Sequence, residues 1–216
     1  MKLAVQLDFD GTVTLEDVSF LLLDTYAGPG WREYLKDYTD GKISAGVFNK
    51  KVFGMVKAGK KTMTDFVLSS PRVTVRPGFK EFIDFCSQNG IEVVIVSHGL
   101  IFYIEAILKK LGLAGLEVHA AENVFSPGGM KVRYLGPDGR ELEAGSKEAW
   151  TAWLVKRGFS VIYVGDGSSD VLPAAKADYV CAAGALLESR RKNNLPCVPF
   201  NDFFDVIRGV EALAKR

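Results

Sequence analysis

Short apolar runs alternate with helically spaced ones along most of the chain. Leu3 to Leu7, Ile91 to Val96, Val161 to Val164 and Tyr179 to Ala182 are dominated by aliphatic residues on both alternating sets of positions, the pattern of strands buried on two faces in a parallel sheet. Between them the period changes. Phe79, Phe82, Ile83 and Cys86 share a helical face that Asn89-Gly90 stops, and Ile101, Ile104, Leu108 and Leu111 form another that ends at Gly112. A third helix is predicted from Ser146 to Arg157, with Trp150 and Leu154 one turn apart and Gly158 beyond it. A fourth follows Asn201, with Phe203, Ile207 and Val210 on one face.

Two stretches break this alternation. Residues 15–75 contain no convincing strand, and their helical patterns are rich in aromatic and basic side chains, which predicts an all-helical insertion fenced off by Pro71 and Pro77. Residues 118–145 hold SPGG and GPDG turn signals around Met130 to Leu135, which predicts one or two β-hairpins. The expected fold is α/β: a doubly wound, mostly parallel sheet built from residues 1–14 and 76–216, with an inserted all-helical cap at residues 15–75. Its ligand site is then expected beyond the carboxyl ends of the strands.

Composition narrows the class of protein. A length of 216 residues suits one domain with a modest insertion, and 48% hydrophobic with 25% charged residues excludes a disordered chain. A formal net charge of +1 lacks the basic excess of a nucleic-acid binder, so no nucleic-acid partner is expected. No run approaches the length of a membrane span, and the opening LAVQL is broken at once by Asp8 and Asp10, so neither a membrane nor a signal peptide is expected and the predicted location is cytoplasmic. Cys86, Cys181 and Cys197 are an odd count without CxxC spacing, which predicts reduced structural thiols rather than disulfides or a zinc site.

Candidate chemistry lies where the fold logic points. Asp8-Phe9-Asp10-Gly11-Thr12-Val13-Thr14 follows the first strand, Ser97-His98-Gly99 the second, and Gly165-Asp166-Gly167-Ser168-Ser169-Asp170 a later one. Asp8, Asp10, Asp166 and Asp170 would therefore gather at one sheet edge, where two unit charges 4 Å apart repel by about 4 kcal/mol at an effective dielectric near 20. A cation is needed among them. Oxygen ligands without Cys or His favour Mg²⁺, whose remaining shell suits water and substrate phosphate. Gly11, Gly99, Gly165 and Gly167 allow close backbone approach, and Thr12 and Ser97 can donate to phosphate oxygens. An Asp attacking a phosphate dianion meets about 8 kcal/mol of repulsion, nearly six powers of ten in rate, so a lysine is required as well as the metal. Lys147, opening the predicted third helix, is the chosen candidate.

In this order, DFDGTVT, a strand ending in Ser, then Lys147 and GDGSSD resemble the four motifs of the haloacid dehalogenase superfamily of phosphotransferases. A helical insertion straight after the first motif is similar to the type 1 cap of the phosphoserine-phosphatase-like branch. Thr64-Asp65-Phe66-Val67-Leu68, RPGFKEF and PFNDFFDVIRGV look closest to the 2-hydroxy-3-keto-5-methylthiopentenyl-1-phosphate phosphatases of methionine salvage. The resemblance implies that Asp8 is the nucleophile forming an aspartyl-phosphate, and that Asp10 is first the acid for the leaving alcohol and then the base for water. It implies Mg²⁺ held by the Asp8 carboxylate, the Asp10 main-chain carbonyl and Asp166, with Asp170 supporting the shell. Ser97, Lys147 and backbone N–H groups near Gly11 and Gly99 would hold the phosphoryl oxygens.

The sequence also departs from that branch. Asp17, with Glu16 beside it, stands where phosphoserine phosphatases carry a cap glutamate, and Val52 falls near the position of their cap arginine. His98 replaces a glycine of the phosphate-binding turn, so Asp17 and His98 join the substrate-contact candidates. The expected function is a Mg²⁺-dependent phosphomonoesterase acting on a small phosphorylated metabolite. Its rivals are a phosphoserine phosphatase, a phosphotransferase or mutase of the same superfamily, and a non-catalytic phosphate-binding protein. The last would have no need of the nucleophile that Asp8 supplies.

Overall fold

The structure, a computed structural model, describes residues 2–214. The chain opens with β1 (Lys2–Leu7) and continues through four helices, α1 (Val18–Tyr26), α2 (Trp31–Thr39), α3 (Ala45–Gly54) and α4 (Lys60–Ser69). Next come α5 (Phe79–Gln88), β2 (Glu92–Leu100), α6 (Ile101–Lys110), β3 (Glu117–Val124), β4 (Lys131–Leu135) and β5 (Glu141–Leu142). The remainder is α7 (Ser146–Lys156), β6 (Phe159–Gly165), a 3-10 turn at Ser168–Asp170, α8 (Val171–Ala174), β7 (Tyr179–Ala182), α9 (Gly184–Lys192), β8 (Val198–Pro199) and α10 (Phe203–Ala214). Two compact units result: one holds the chain up to Leu15, Thr74–Val96 and everything from Lys147, the other Glu16–Val73 and Ser97–Ser146.

The first unit is a parallel sheet centred on β1. Leu7 lies opposite Ile95 of β2 on one side and Val164 of β6 on the other, while β6 continues into β7 and β7 into β8, all parallel. Both faces of the sheet are covered, as its aliphatic strands require. Ala4, Val94, Val96 and Val161 pack with Trp150 and Leu154 of α7, and Tyr163, Val180 and Ala182 with Ala174 and Leu186 of α8 and α9. Val5, Leu7, Ile95, Ile162 and Val164, which the period of two directs to the opposite face, are buried as well. Helices α5 and α10 join through Phe79 and Phe82 against Phe203, with ring centroids 5.1 and 5.2 Å apart. The sequence order reverses at β1, whose neighbours are β2 and β6, and this reversal makes its carboxyl end the switch point of the doubly wound α/β sheet.

The second unit contains α1 to α4 and α6, together with an antiparallel meander in which Glu122 pairs with Arg133 and Tyr134 with Leu142. Among the described residues, no helix is long and apolar enough to cross a membrane. The three cysteines are free thiols, and burial pushes those of Cys86 and Cys181 up to about 12.

Candidate active site

Parallel strands put their carboxyl ends on the same edge, so the residues following β1 and β6 meet. Asp8, directly after β1, is 5% exposed, and Lys147 on the first turn of α7 is 1% exposed. The Lys147 ammonium lies 2.8 Å from Asp8 Oδ1 and 2.6 Å from Asp170 Oδ1, bridging the two carboxylates. Helix α7 is tied to the central strand from inside: fully buried Gln6 donates its Nε2 to the Lys147 main-chain oxygen at 3.0 Å. Asp166 accepts from Thr12 Oγ1 at 2.7 Å. Carboxylate oxygens of Asp8, Asp166 and Asp170 all lie within 4.8 Å of one another.

Asp170 is the most fully engaged of the three. One oxygen accepts from Lys147 and from the Tyr163 hydroxyl, each at 2.6 Å; the other accepts from the Asp166 N–H at 3.0 Å and the Gly167 N–H at 2.8 Å. A carboxylate has about four lone-pair sites, so Asp170 has none left over. Asp8 spends one of its own on Lys147 and Asp166 one on Thr12, fewer than Asp170 does. Two glycines make room for these groups: a Cβ on Gly11, whose φ is +77°, would lie 2.4 Å from Asp166 Oδ2, and one on Gly165 would lie 2.6 Å from Asp170 Oδ2.

The electrostatics follow from burial. Desolvation and the neighbouring Asp170 hold the Asp8 carboxyl well above its usual range, against the pull of Lys147. Asp166 is raised by burial too, with Thr12 opposing. For Asp170, burial is outweighed by Lys147 and its other donors, and its carboxyl sits below the usual value. Burial would lower the Lys147 ammonium, but Asp170 and Asp8 reverse this and raise it. Burial and then Asp170 raise the Tyr163 hydroxyl, which stays a neutral donor. Two buried carboxylates and the half-buried Asp166 therefore face one ammonium. An additional cation relieves that deficit, and a donor set made only of oxygens suits a hard divalent ion.

The other sequence candidates occupy defined places. Asp10 is half-buried in the turn after β1. Asp17 caps α1, accepting the Phe20 N–H at 2.8 Å, an ordinary helix-start role. Ser97 is buried, and its hydroxyl accepts the Gly99 N–H at 2.9 Å. His98 Nε2 lies 3.2 Å from Ser146 Oγ, and its main-chain oxygen accepts from Asn49 Nδ2 at 2.8 Å and from the Tyr134 hydroxyl at 2.6 Å. Tyr163 and Gln6 escaped the sequence reading. The available signal was a polar group inside each of two otherwise aliphatic buried strands, because such a group requires a partner.

Comparison with known proteins gives a consistent result. The family model for haloacid dehalogenase-like hydrolases matches residues 5–176. A 2-hydroxy-3-keto-5-methylthiopentenyl-1-phosphate phosphatase of Brevibacillus brevis is 30% identical over 213 residues, covering 96% of this chain and 94% of the relative. One of the same name from Geobacillus thermodenitrificans is 30% identical, with 98% and 97% covered. Among solved structures, a phospho-aspartyl intermediate analogue of phosphoserine phosphatase superposes with a TM-score of 0.72 at 20% identity, covering 96% of this chain and 98% of that one. At that identity the likeness speaks for the fold.

Proposed function

Because this chain belongs to the haloacid dehalogenase-like hydrolases, we propose that it is a Mg²⁺-dependent phosphomonoesterase working through an aspartyl-phosphate on Asp8. The observation that carries the reading is the Lys147 ammonium held between Asp8 and Asp170, with Asp166 alongside, at the carboxyl end of β1. Asp8 carries its carboxylate on the residue after the strand and attacks phosphorus. Lys147 offsets the repulsion between that carboxylate and the incoming dianion. Asp10, two residues on, gives its proton to the departing alkoxide. In the second half it takes a proton from the water that opens the acyl phosphate, so that one hard displacement becomes two easier ones.

Asp8 and Asp166 would hold the Mg²⁺ together with the Asp10 main-chain carbonyl, and the ion supplies neutralising charge to the phosphoryl oxygens. Asp170, with its lone pairs filled, serves as the anchor for Lys147 and for the backbone N–H groups of Asp166 and Gly167. The substrate we favour is 2-hydroxy-3-keto-5-methylthiopentenyl-1-phosphate, since the relatives bearing that name align over nearly the whole of both chains.

Phosphate release from a generic aryl phosphate tests the chemistry. Wild type with Mg²⁺ is expected to turn over, whereas wild type with chelator and Asp8→Asn with Mg²⁺ are expected to be inactive. Equal release in all three defeats the mechanism. A panel of phosphorylated metabolites ranked by kcat/KM tests the substrate, with the methionine-salvage ester expected to lead phosphoserine.

A further inference from the structure

We propose that Arg76 is a positioning residue, a clamp on the turn that carries Asp10 and Thr12. The proposal rests on the phosphatase reading above and adds to it a group outside the acidic cluster. After β1 the chain makes a single tight turn in which the N–H groups of Thr12, Val13 and Thr14 converge on the Phe9 carbonyl at 3.2, 2.8 and 3.0 Å. That convergence ties the N–H side of the turn. It leaves the carbonyls of Gly11 and Thr12 to be satisfied from elsewhere.

Arg76 supplies their donors. Its Nε donates to Thr12 O at 2.8 Å and Nη2 to Gly11 O at 2.5 Å, while Nη1 reaches Asn201 O at 2.8 Å. The Arg76 N–H is itself bonded to Val13 O at 2.8 Å, next to the bridge between Thr14 and Val75, so the clamp and the turn share one short stretch of backbone pairing. The guanidinium lies over the Phe200 ring at 5.3 Å to the centroid, a cation–π contact that adds to its hold. Asp166 and Asp202 oppose the cost of burying it.

Three carbonyls on two distant segments match the rigid fork of an arginine; an ammonium presents one point of charge and no fork. The consequence reaches two proposed catalytic groups. Asp10 precedes the clamped Gly11 carbonyl, and Thr12, whose carbonyl is also clamped, donates to Asp166. Arg76 acts through them and is not itself assigned a contact with the reacting atoms.

The test compares the full-length wild type with Arg76→Ala and Arg76→Lys. For Arg76→Ala, kcat for aryl phosphate hydrolysis is expected to fall by about 10- to 100-fold, with KM little changed, because misplaced groups rather than lost binding carry the defect. Guanidinium added below denaturing concentration is expected to restore part of kcat in that variant and none in wild type. Amide hydrogen exchange at residues 12–14 is expected to speed up in both variants, a readout independent of activity. If Arg76→Ala does not fold, Arg76→Lys, which keeps the charge, takes the same measurements.

Unchanged exchange at residues 12–14 overturns the clamp whatever happens to kcat. Faster exchange with kcat within about twofold of wild type overturns the positioning role. Absence of phosphate release by wild type counts against the phosphatase reading, and the exchange comparison still decides whether Arg76 holds the turn.

Discussion

Two lysine–aspartate pairs in this protein have the same length and different consequences. Lys147 and Asp170, at the sheet edge, are 2.6 Å apart; so are Lys61 and Asp65, one turn apart on α4. The first pair is 1% and 0% exposed, the second 89% and 62%. On α4, water screens both charges and would solvate them equally well apart, so the pair is an ornament of a wet helix face. At the sheet edge no solvent is available, and each partner depends on the other to remain charged. Distance alone therefore identifies neither function nor stability. Burial, and the number of further donors converging on the same oxygens, separates the two.

That contrast can be broken in three steps of decreasing size. Lys147→Met removes the cation shared by Asp8 and Asp170. It is expected to lower kcat by about 10²- to 10³-fold and, without metal, to destabilise the fold by about 3–5 kcal/mol, read by steady-state kinetics and denaturant unfolding. A variant retaining most of both would place the sheet-edge pair in the same class as the surface one. Tyr163→Phe takes one donor from Asp170 and leaves three, which should lower unfolding free energy by about 1.5–3 kcal/mol, the range for hydrogen bonds to charged groups. A midpoint unchanged in urea would mean that the fourth donor is redundant. Lys61→Met should leave both kcat and the melting midpoint where they were in calorimetry and kinetics; a clear loss in either would show that exposure is a poor guide here.

Much of the acidic cluster could be read from sequence, because strand ends alone place its members. In a parallel sheet, the residues just past each apolar run lie at the same edge; Asp8 follows its run directly and Asp166 follows with Gly165 between. Lys147, in the first turn of the helix predicted from Ser146, was legible mainly from the motif order of the superfamily the sequence resembles. Tyr163, Gln6 and Arg76 were not, since each acts through partners that no local pattern specifies: Gln6 bonds a residue 141 positions away, and Arg76 bonds one 65 positions away. Some elements were also hidden. Strand β8 is two residues long and ends at Pro199, too short to show a period, whereas α9 carries Leu186 as a buried anchor within the polar run GALLESRRK. Strand β2 runs on through Ser97-His98-Gly99-Leu100, beyond the aliphatic run that marked it, because its backbone pairing does not depend on apolar side chains.

The hydrogen atoms of Gly11 and Gly165 stand where any larger residue would need a methylene, and the carboxylates of Asp166 and Asp170 already occupy that space. Asp170 cannot step aside, because yielding would strand four donors at once. Two residues with no reactive group of their own thus resist enlargement because of the acids they abut, and a designer wishing to retune this scaffold has to leave both untouched.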